Sequence, residues 1–581
     1  MKRRTALERM TEGVLAPAEE INPSGWDVQG EVISPYANKS IPSLRRTTAG
    51  LEPYAGPWTV DQVMHLLRRT TFGPSQAHVD TLKSMDVNAA VDLLLAPQPA
   101  EPSQPLVTDS RDIAPVGTTW VTALYKSADP TVTFNPTGIR TNSLKAWWLG
   151  LILNQQLSIR EKMVLFWHNH FVTENTTVGD PRYTYRYIAF LRQSALGNFK
   201  ALVRDITQDG AMLVYLNGDR NTKSGPDENY ARELQELFTI GKGPLAAPGD
   251  YTNYTEADVK AAARVLTGWR KLQNVDGTVG LQTGWFDVTR HDTTNKVFSA
   301  RYNNTVVTGG TDGAAELQAL IDMIFAQAET AKFICRKLYR WFVYYVIDDA
   351  TEANVIAPLA DILQQNNYEI TPVLSALLKS AHFFDPANVG CFIKSPLDLV
   401  TGVCRQLNVA IAATDLAKQY QAWLNLTAQA SSMDQNIGDP PNVAGWPAYY
   451  QVPQFSELWI NSDTLPKRSR LTDLLIGNGY TSGGVTLNID PIAFVQTLSN
   501  PDDPNVIVQE SAQRLFAVTP TAAQTAFLKE TLIPGLPDYE WGIEWASYLS
   551  DPTNATVIKP IKTKLQALFG LLLRMPEYQL L

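Results

Sequence analysis

Apolar positions along the chain recur in helical steps from Trp58 onward. In "TVDQVMHLLRRTTFGPS", Val60, Val63, Met64 and Leu67 share one side of a helix. Thr59 and Gln62 have capping-box spacing, His65, Arg68 and Arg69 fall on another face, and Gly73–Pro74 closes the pattern. "SLKAWWLGLILNQQ" predicts a nearly all-apolar helix. "SIREKMVLFWHNHF" predicts a second one, opened by a Ser158/Glu161 capping box and apolar on most sides, hence buried. "DENYARELQELFTIG" predicts a helix stopped by Gly241, and "TEADVKAAARVLTGW" one capped by Thr255 and Asp258. The run from Ala314 to Val346 predicts two helices, and "TPVLSALLKSAHFF" and "SPLDLVTGVCRQLNVAI" two more. The last hundred or so residues return to helical spacing.

Strand-like patterning is expected only at about 275–310, rich in Thr, Val and aromatics. No repeat of fixed period is present. The predicted fold is therefore mainly α: a large multi-helix globular domain with a small β-hairpin insert. Residues 1–52, rich in Pro, Ser, Gly and Thr, read as an irregular arm. Residues 53–466 read as the main helical domain with its β insert, and 467–581 as a C-terminal helical region packed on it.

Composition narrows the functional classes. The 581 residues are 44% hydrophobic and 18% charged, ordinary for a globular protein, and the net charge of −9 argues against nucleic acid as a partner. No run reaches the ~18 apolar residues of a transmembrane helix. Cys335, Cys391 and Cys404 are too few and too widely spaced for a disulfide framework or a zinc pattern, so free buried thiols are expected. The 14 Trp suit both large cores and sugar stacking. "MKRRTALERMTEG" has an Arg-Arg pair like that of a twin-arginine signal, but no apolar stretch follows it, which by itself argues for the cytoplasm or a non-standard export route.

An ordered series of landmarks runs through the chain: "HLLRRTTFGPS", "REKMVLFWHNHFVTE", "ENYARELQELFTIG", "YTEADVKAAARVLTGW", "RHDTTNK", "FICRKLYRWFV", "KSPLDLV", "PPNVAGWP" and "MPEYQ". Together they resemble the bacterial DUF1800 family over nearly 520 residues. The resemblance implies a large, mainly helical bacterial protein, often exported and often encoded beside a sulfatase- or phosphatase-like partner. It thus favours an extracytoplasmic location, against the N-terminal reading. The family pattern "ELHTLG" stands here as "ELFTIG", with Phe238 in the histidine's place, so a family metal site using that histidine is incomplete in this chain.

Candidate chemistry comes from scarce residue types. His168 and His170 lie two apart, about 200° around a helix, and cannot both bind one metal from a regular helix. They read as buried imidazoles tied by hydrogen bonds, as catalytic groups, or as ligands of separate sites. Glu161, two turns before His168, is a candidate partner. Asn229, Glu233 and Glu236 share a helix face opposite Tyr230, Leu234, Leu237 and Phe238. This is either a solvated face or a carboxylate pair able to divide acid and base roles, as glycoside hydrolysis requires. Chemistry equally permits a divalent metal held by these glutamates and a histidine. His291–Asp292, with Lys296 nearby, is either a turn or a site for proton transfer or metal.

Arg68, Arg69, Arg232, Arg264, Arg336, Arg340 and Lys394 either hold an anionic group or form salt bridges between helices. "GDPPNVAGWP" offers Asn442 and Trp446 as a sugar platform, or plugs its indole into the core. There is no P-loop, GxGxxG, GxSxG or HExxH, so no nucleotide cofactor and no common serine or zinc hydrolase design is expected. The first functional expectation is a hydrolase-like enzyme acting on an extracellular or envelope polymer, in particular a polysaccharide. Its catalytic groups would be Glu233, Glu236, His168, His170, His291 and Asp292, with Arg68, Arg69, Arg232, Arg336, Asn442 and Trp446 binding substrate. The second is a non-catalytic structural or assembly protein, with buried ion-pair networks and a Trp-rich surface for a protein partner.

Overall fold

The helices the periodicity predicts are present in a computed structural model of the chain, which describes residues 47–97, 101–124, 134–247, 250–272, 284–411 and 415–581. The N-terminal arm up to residue 46, with its Arg-Arg stretch, and residues 275–283 of the β insert lie outside the described residues. Thr47–Leu581 form one compact unit.

Local chemistry explains most of the starts and stops. The Thr59/Gln62 and Thr255/Asp258 capping boxes both form, opening the helices Val60–Thr70 and Glu256–Val265. The helix Asn229–Glu233 runs into a π-helical turn, Leu234–Thr239, and the chain leaves through Gly241 at φ +73°. The Ser158/Glu161 box does not form. Helix Arg160–His170 begins instead with Ile159 as N-cap, and Glu161 is drawn away to ion-pair with Arg192 on the helix Pro181–Gln193. That pair is buried and joins two helices, so tertiary charge pairing overrides the local cap.

Helix Arg160–His170 lies deep in the core, with nine of its eleven residues buried. It packs on Pro181–Gln193, and Lys162 on it pairs with Asp398 at the start of helix Pro396–Gln406. Nearby, Thr137–Leu153 and Leu416–Ser432 form the most extensive helix pairing. They approach closely because Gly150 has no Cβ; one placed there would sit 2.8 Å from the Trp423 ring.

The β structure is wider than the expected insert. Four two-stranded antiparallel sheets are present among the described residues. Strands Lys296–Val297 and Val306–Val307 lie inside 275–310, and Gly284–Phe286 there pairs with Trp269–Lys271 just before it. Leu245–Ala247 pairs with Asp250–Tyr251, and Tyr480–Ser482 with Val485–Leu487. Strands of two or three residues are too short to display an alternation of period two.

The C-terminal end is tied back into the core. Lys394 N donates to the Gln579 carbonyl (2.7 Å), Leu581 N donates to the Phe392 carbonyl (2.8 Å), and Tyr578 is fully buried. Among the described residues no helix is long and apolar enough to cross a membrane.

Candidate functional site

Glu233 and Glu236 sit on one face where the α-helical turn becomes a π-turn, and both are half-buried. Their surroundings differ. Glu236 meets Lys242 Nζ at 2.5 Å and accepts a hydrogen bond from the fully buried Tyr254 hydroxyl at 3.2 Å. Among the described residues nothing hydrogen-bonds to the Glu233 carboxyl. Burial, and then the neighbouring Glu236 charge, push it up to about 7, against the pull of Lys242 and Arg232. Two adjacent carboxyls thus sit in unequal environments, Glu233 raised and Glu236 charge-paired. A third acid adjoins the pair. Glu174 accepts from the Tyr215 hydroxyl at 3.0 Å, and burial, then Glu174 and Glu233, hold that phenol well above its usual range.

The two histidines point apart, as their spacing requires. His168 is fully buried among Trp148, Tyr187 and Trp446, with ring centroids 5.1, 5.9 and 5.9 Å away, and neither ring nitrogen has a hydrogen-bond partner among the described residues. Desolvation brings its pKa down to about 3, so the ring is neutral. His170 Nε2 donates to the Phe238 carbonyl at 2.9 Å, leaving Nδ1 to accept from Lys337 Nζ at 3.1 Å. Lys337 also donates to the Leu237 carbonyl at 2.8 Å. These carbonyls belong to the last turn of the π-segment and lack intrahelical donors, so His170 and Lys337 supply them. Desolvation, then Arg340, pushes the Lys337 amine down to about 7. Glu161 reaches Arg192 and not His168.

His291 and Asp292 belong to a separate network. His291 Nδ1 lies 2.7 Å from the Thr267 carbonyl and Nε2 lies 3.0 Å from Glu316 Oε1, while the other Glu316 oxygen takes Lys296 Nζ. All three side chains are sealed from solvent. Asp292 accepts from Arg264 Nε at 2.7 Å and from Thr294 N at 2.9 Å. Burial works to raise the Asp292 pKa, but the Arg264 and Thr294 hydrogen bonds outweigh it and hold the carboxyl far below its usual range. No hydrogen bond or ion pair links this network to Glu233 or Glu236 among the described residues.

The expected binding residues are dispersed. Arg232 makes a two-pronged contact with Glu256 (2.7 Å each) and a longer one with Glu228, and Arg336 bridges Glu329 and Glu352. Arg69 Nη2 donates to the Asn388 carbonyl at 2.8 Å, and its guanidinium lies over the Phe392 ring. Arg68 faces another part of the molecule. Trp446 is buried; Asn442 is exposed and bonded to the Tyr450 hydroxyl at 2.9 Å. Cys335 and Cys404 are buried free thiols, and Cys391 is partly exposed.

A metal bound by Glu233, Glu236 and a histidine does not fit this donor set. His170 spends one nitrogen on a carbonyl and turns the other to an ammonium, and among the described residues no three His, Cys, Asp or Glu side chains converge on a point. The sequence reasoning missed Glu174, Tyr215, Lys242, Tyr254 and Lys337. Only Lys337 left a signal, as a charged residue between Phe333, Ile334 and Trp341 at helical spacing.

Fold and site together define a large, mainly helical protein carrying a half-buried carboxylate pair in unequal environments. Residues 65–580 match the family described as "Protein of unknown function (DUF1800)", nearly the whole chain, and the protein belongs to that family. No curated protein and no solved structure matches the chain.

Proposed function

We propose that the protein is a hydrolase-like enzyme in which Glu233 and Glu236 divide acid and base roles on an extracellular or envelope polymer, a polysaccharide in the first instance. The observation that carries this reading is the inequality of the pair: Glu233, without a donor among the described residues, is pushed up to about 7, while Glu236 is charge-paired to Lys242. A carboxylic acid that still holds its proton near neutrality can protonate a leaving-group oxygen, and its neighbour can accept a proton from water. Tyr254 and Lys242 orient Glu236, and Tyr215 with Glu174 borders Glu233 on the other side. His168, His170, His291 and Asp292 act in this reading through the scaffold and not on substrate. The test is reducing-end release from a panel of bacterial envelope and extracellular polysaccharides. Release should fall at least ~100-fold in Glu233→Gln and in Glu236→Gln with the fold intact by circular dichroism, as loss of a general acid or base predicts. Release that survives both substitutions would sink the reading.

The second reading, a non-catalytic assembly protein, draws on the sealed pairs Arg140–Asp112, Lys162–Asp398 and Lys296–Glu316. It predicts no turnover on any polymer, and co-purification of a protein partner that is unaffected by Glu233→Gln.

A further inference from the structure

A cavity of about 680 Å³ opens between the helices Val60–Thr70 and Pro504–Leu515, and no residue of the Glu233–Glu236 site lines it. Its volume is that of a site for a small organic ligand. Its wall is mixed: Phe384, Val389, Val508 and Phe516 form an apolar side, and polar side chains supply the rest. Three charged groups line it, Asp61, Arg68 and Lys529; Lys529 is ion-paired to Asp538 and Arg68 is the buried one. Arg68 is 4% exposed, and its only hydrogen bonds among the described residues run from Nη2 to the Gln513 and Arg514 carbonyls, both at a long 3.3 Å. Arg68 Nε has no partner, and no carboxylate comes within ion-pair distance among the described residues.

Among the described residues the charges around Arg68 give it no ion pair, although Asp61 acts on it favourably from longer range. Behind it, the Lys394 amine feels both Arg68 and Arg468 as like charges, with Asp398 opposing them. The one acid on the cavity wall, Asp61, accepts from Gln513 Nε2 at 3.0 Å. His65, also on the wall, bonds through Nε2 to the Phe383 carbonyl at 3.0 Å, and desolvation, then Arg69, brings its pKa down to about 3, so it is neutral. A buried guanidinium without an ion-pair partner in contact is costly, and an anion that enters the cavity would relieve it.

We propose that this cavity binds a small organic anion with an aliphatic body, its carboxylate or phosphate head on the free edge of Arg68 and its chain along Phe384, Val508 and Phe516. The head supplies the missing ion-pair contact in a charge-assisted hydrogen bond, and the chain covers the apolar side of the wall. The proposal is independent of the acid–base reading of the glutamates.

The test is calorimetric titration of the full chain with decanoate, decyl phosphate and the uncharged decanol. Saturable binding of either anion, at least ~10-fold tighter than decanol, is expected from the free energy of a hydrogen bond to a charged group. The tighter of the two anions identifies the head. Gln509→Trp, at an exposed position on the rim, should weaken anion binding by blocking entry. Arg68→Met should bring the anion-to-decanol ratio to about one while leaving decanol binding in place. If Arg68→Met does not fold, Gln509→Trp and the decanol comparison decide alone. No saturable binding of either anion, equal binding of anion and alcohol, or indifference to Gln509→Trp would overturn the proposal.

Discussion

Glu233 gives the folded state a measurable pH dependence. Its carboxyl ionises near 4.5 when unfolded and at about 7 when folded. The raised value means that its contribution to stability is fully present below pH 4.5 and is lost as pH rises through 7. Glu233→Gln removes that loss, so the variant should gain roughly 1–3 kcal/mol over wild type at pH 8, and little at pH 4.5. Urea unfolding at both pH values reads the difference, and equal gains at the two would contradict the assignment. His168 acts with the opposite sign. Its pKa falls from 6.5 to about 3 on folding, so its contribution is present above 6.5 and is lost as pH falls toward 3. Relative to His168→Phe, which keeps an aromatic ring against Trp148 and Trp446, wild type should lose about 1.4 kcal/mol per pH unit across that window. Parallel stability curves for the two proteins would show that the ring does not titrate with folding.

Between the two histidines, Asn169 joins two elements far apart in sequence. Its Oδ1 accepts from Trp446 N at 2.9 Å, and Gly445 at φ +93° would place a Cβ 2.3 Å from that oxygen. The proline-rich loop thus closes on the end of the helix Arg160–His170 at a position only glycine fits. Gly445→Ala should cost about 1–3 kcal/mol from the left-handed backbone alone. Combining it with Asn169→Ala should cost less than the sum of the single changes, because the second removes the atom that the first strikes; strict additivity in a denaturant-unfolding cycle would separate the two contacts. The sequence showed this element only in part. Periodicity exposed the helix and the face shared by Glu233 and Glu236, because both are set within a few residues. It gave no hint that Asn169 meets Gly445, that Glu161 abandons its cap for Arg192, or that Lys242 and Tyr254 hold Glu236. Those pairings are chosen by packing between segments distant in sequence, and residue spacing along one helix carries no record of them.

At the scale of the whole molecule, the question is whether the region expected to pack on the main domain, 467–581, melts with it. Arg468 donates to the Lys394 carbonyl at 2.8 Å and to Gln579 Oε1 at 3.2 Å, and Lys394 Nζ lies 3.6 Å above the Tyr578 ring. Arg68 reaches the carbonyls that end helix Pro504–Leu515, and Gln406 adds a bond to one of them. The chain end therefore plugs into the same buried cationic cluster that borders the central helices, and helix Thr464–Ile476 packs on Ala555–Arg574 beside it. Contacts of this kind couple both regions into one transition. Tyr578→Ala removes a fully buried ring from the joint and should cost about 3–5 kcal/mol. In scanning calorimetry the wild type should show a single endotherm, and Tyr578→Ala should move all of it to lower temperature. A variant that leaves the main endotherm in place and splits off a smaller, earlier one would show that 467–581 folds as a unit of its own, with Tyr578 serving only its attachment.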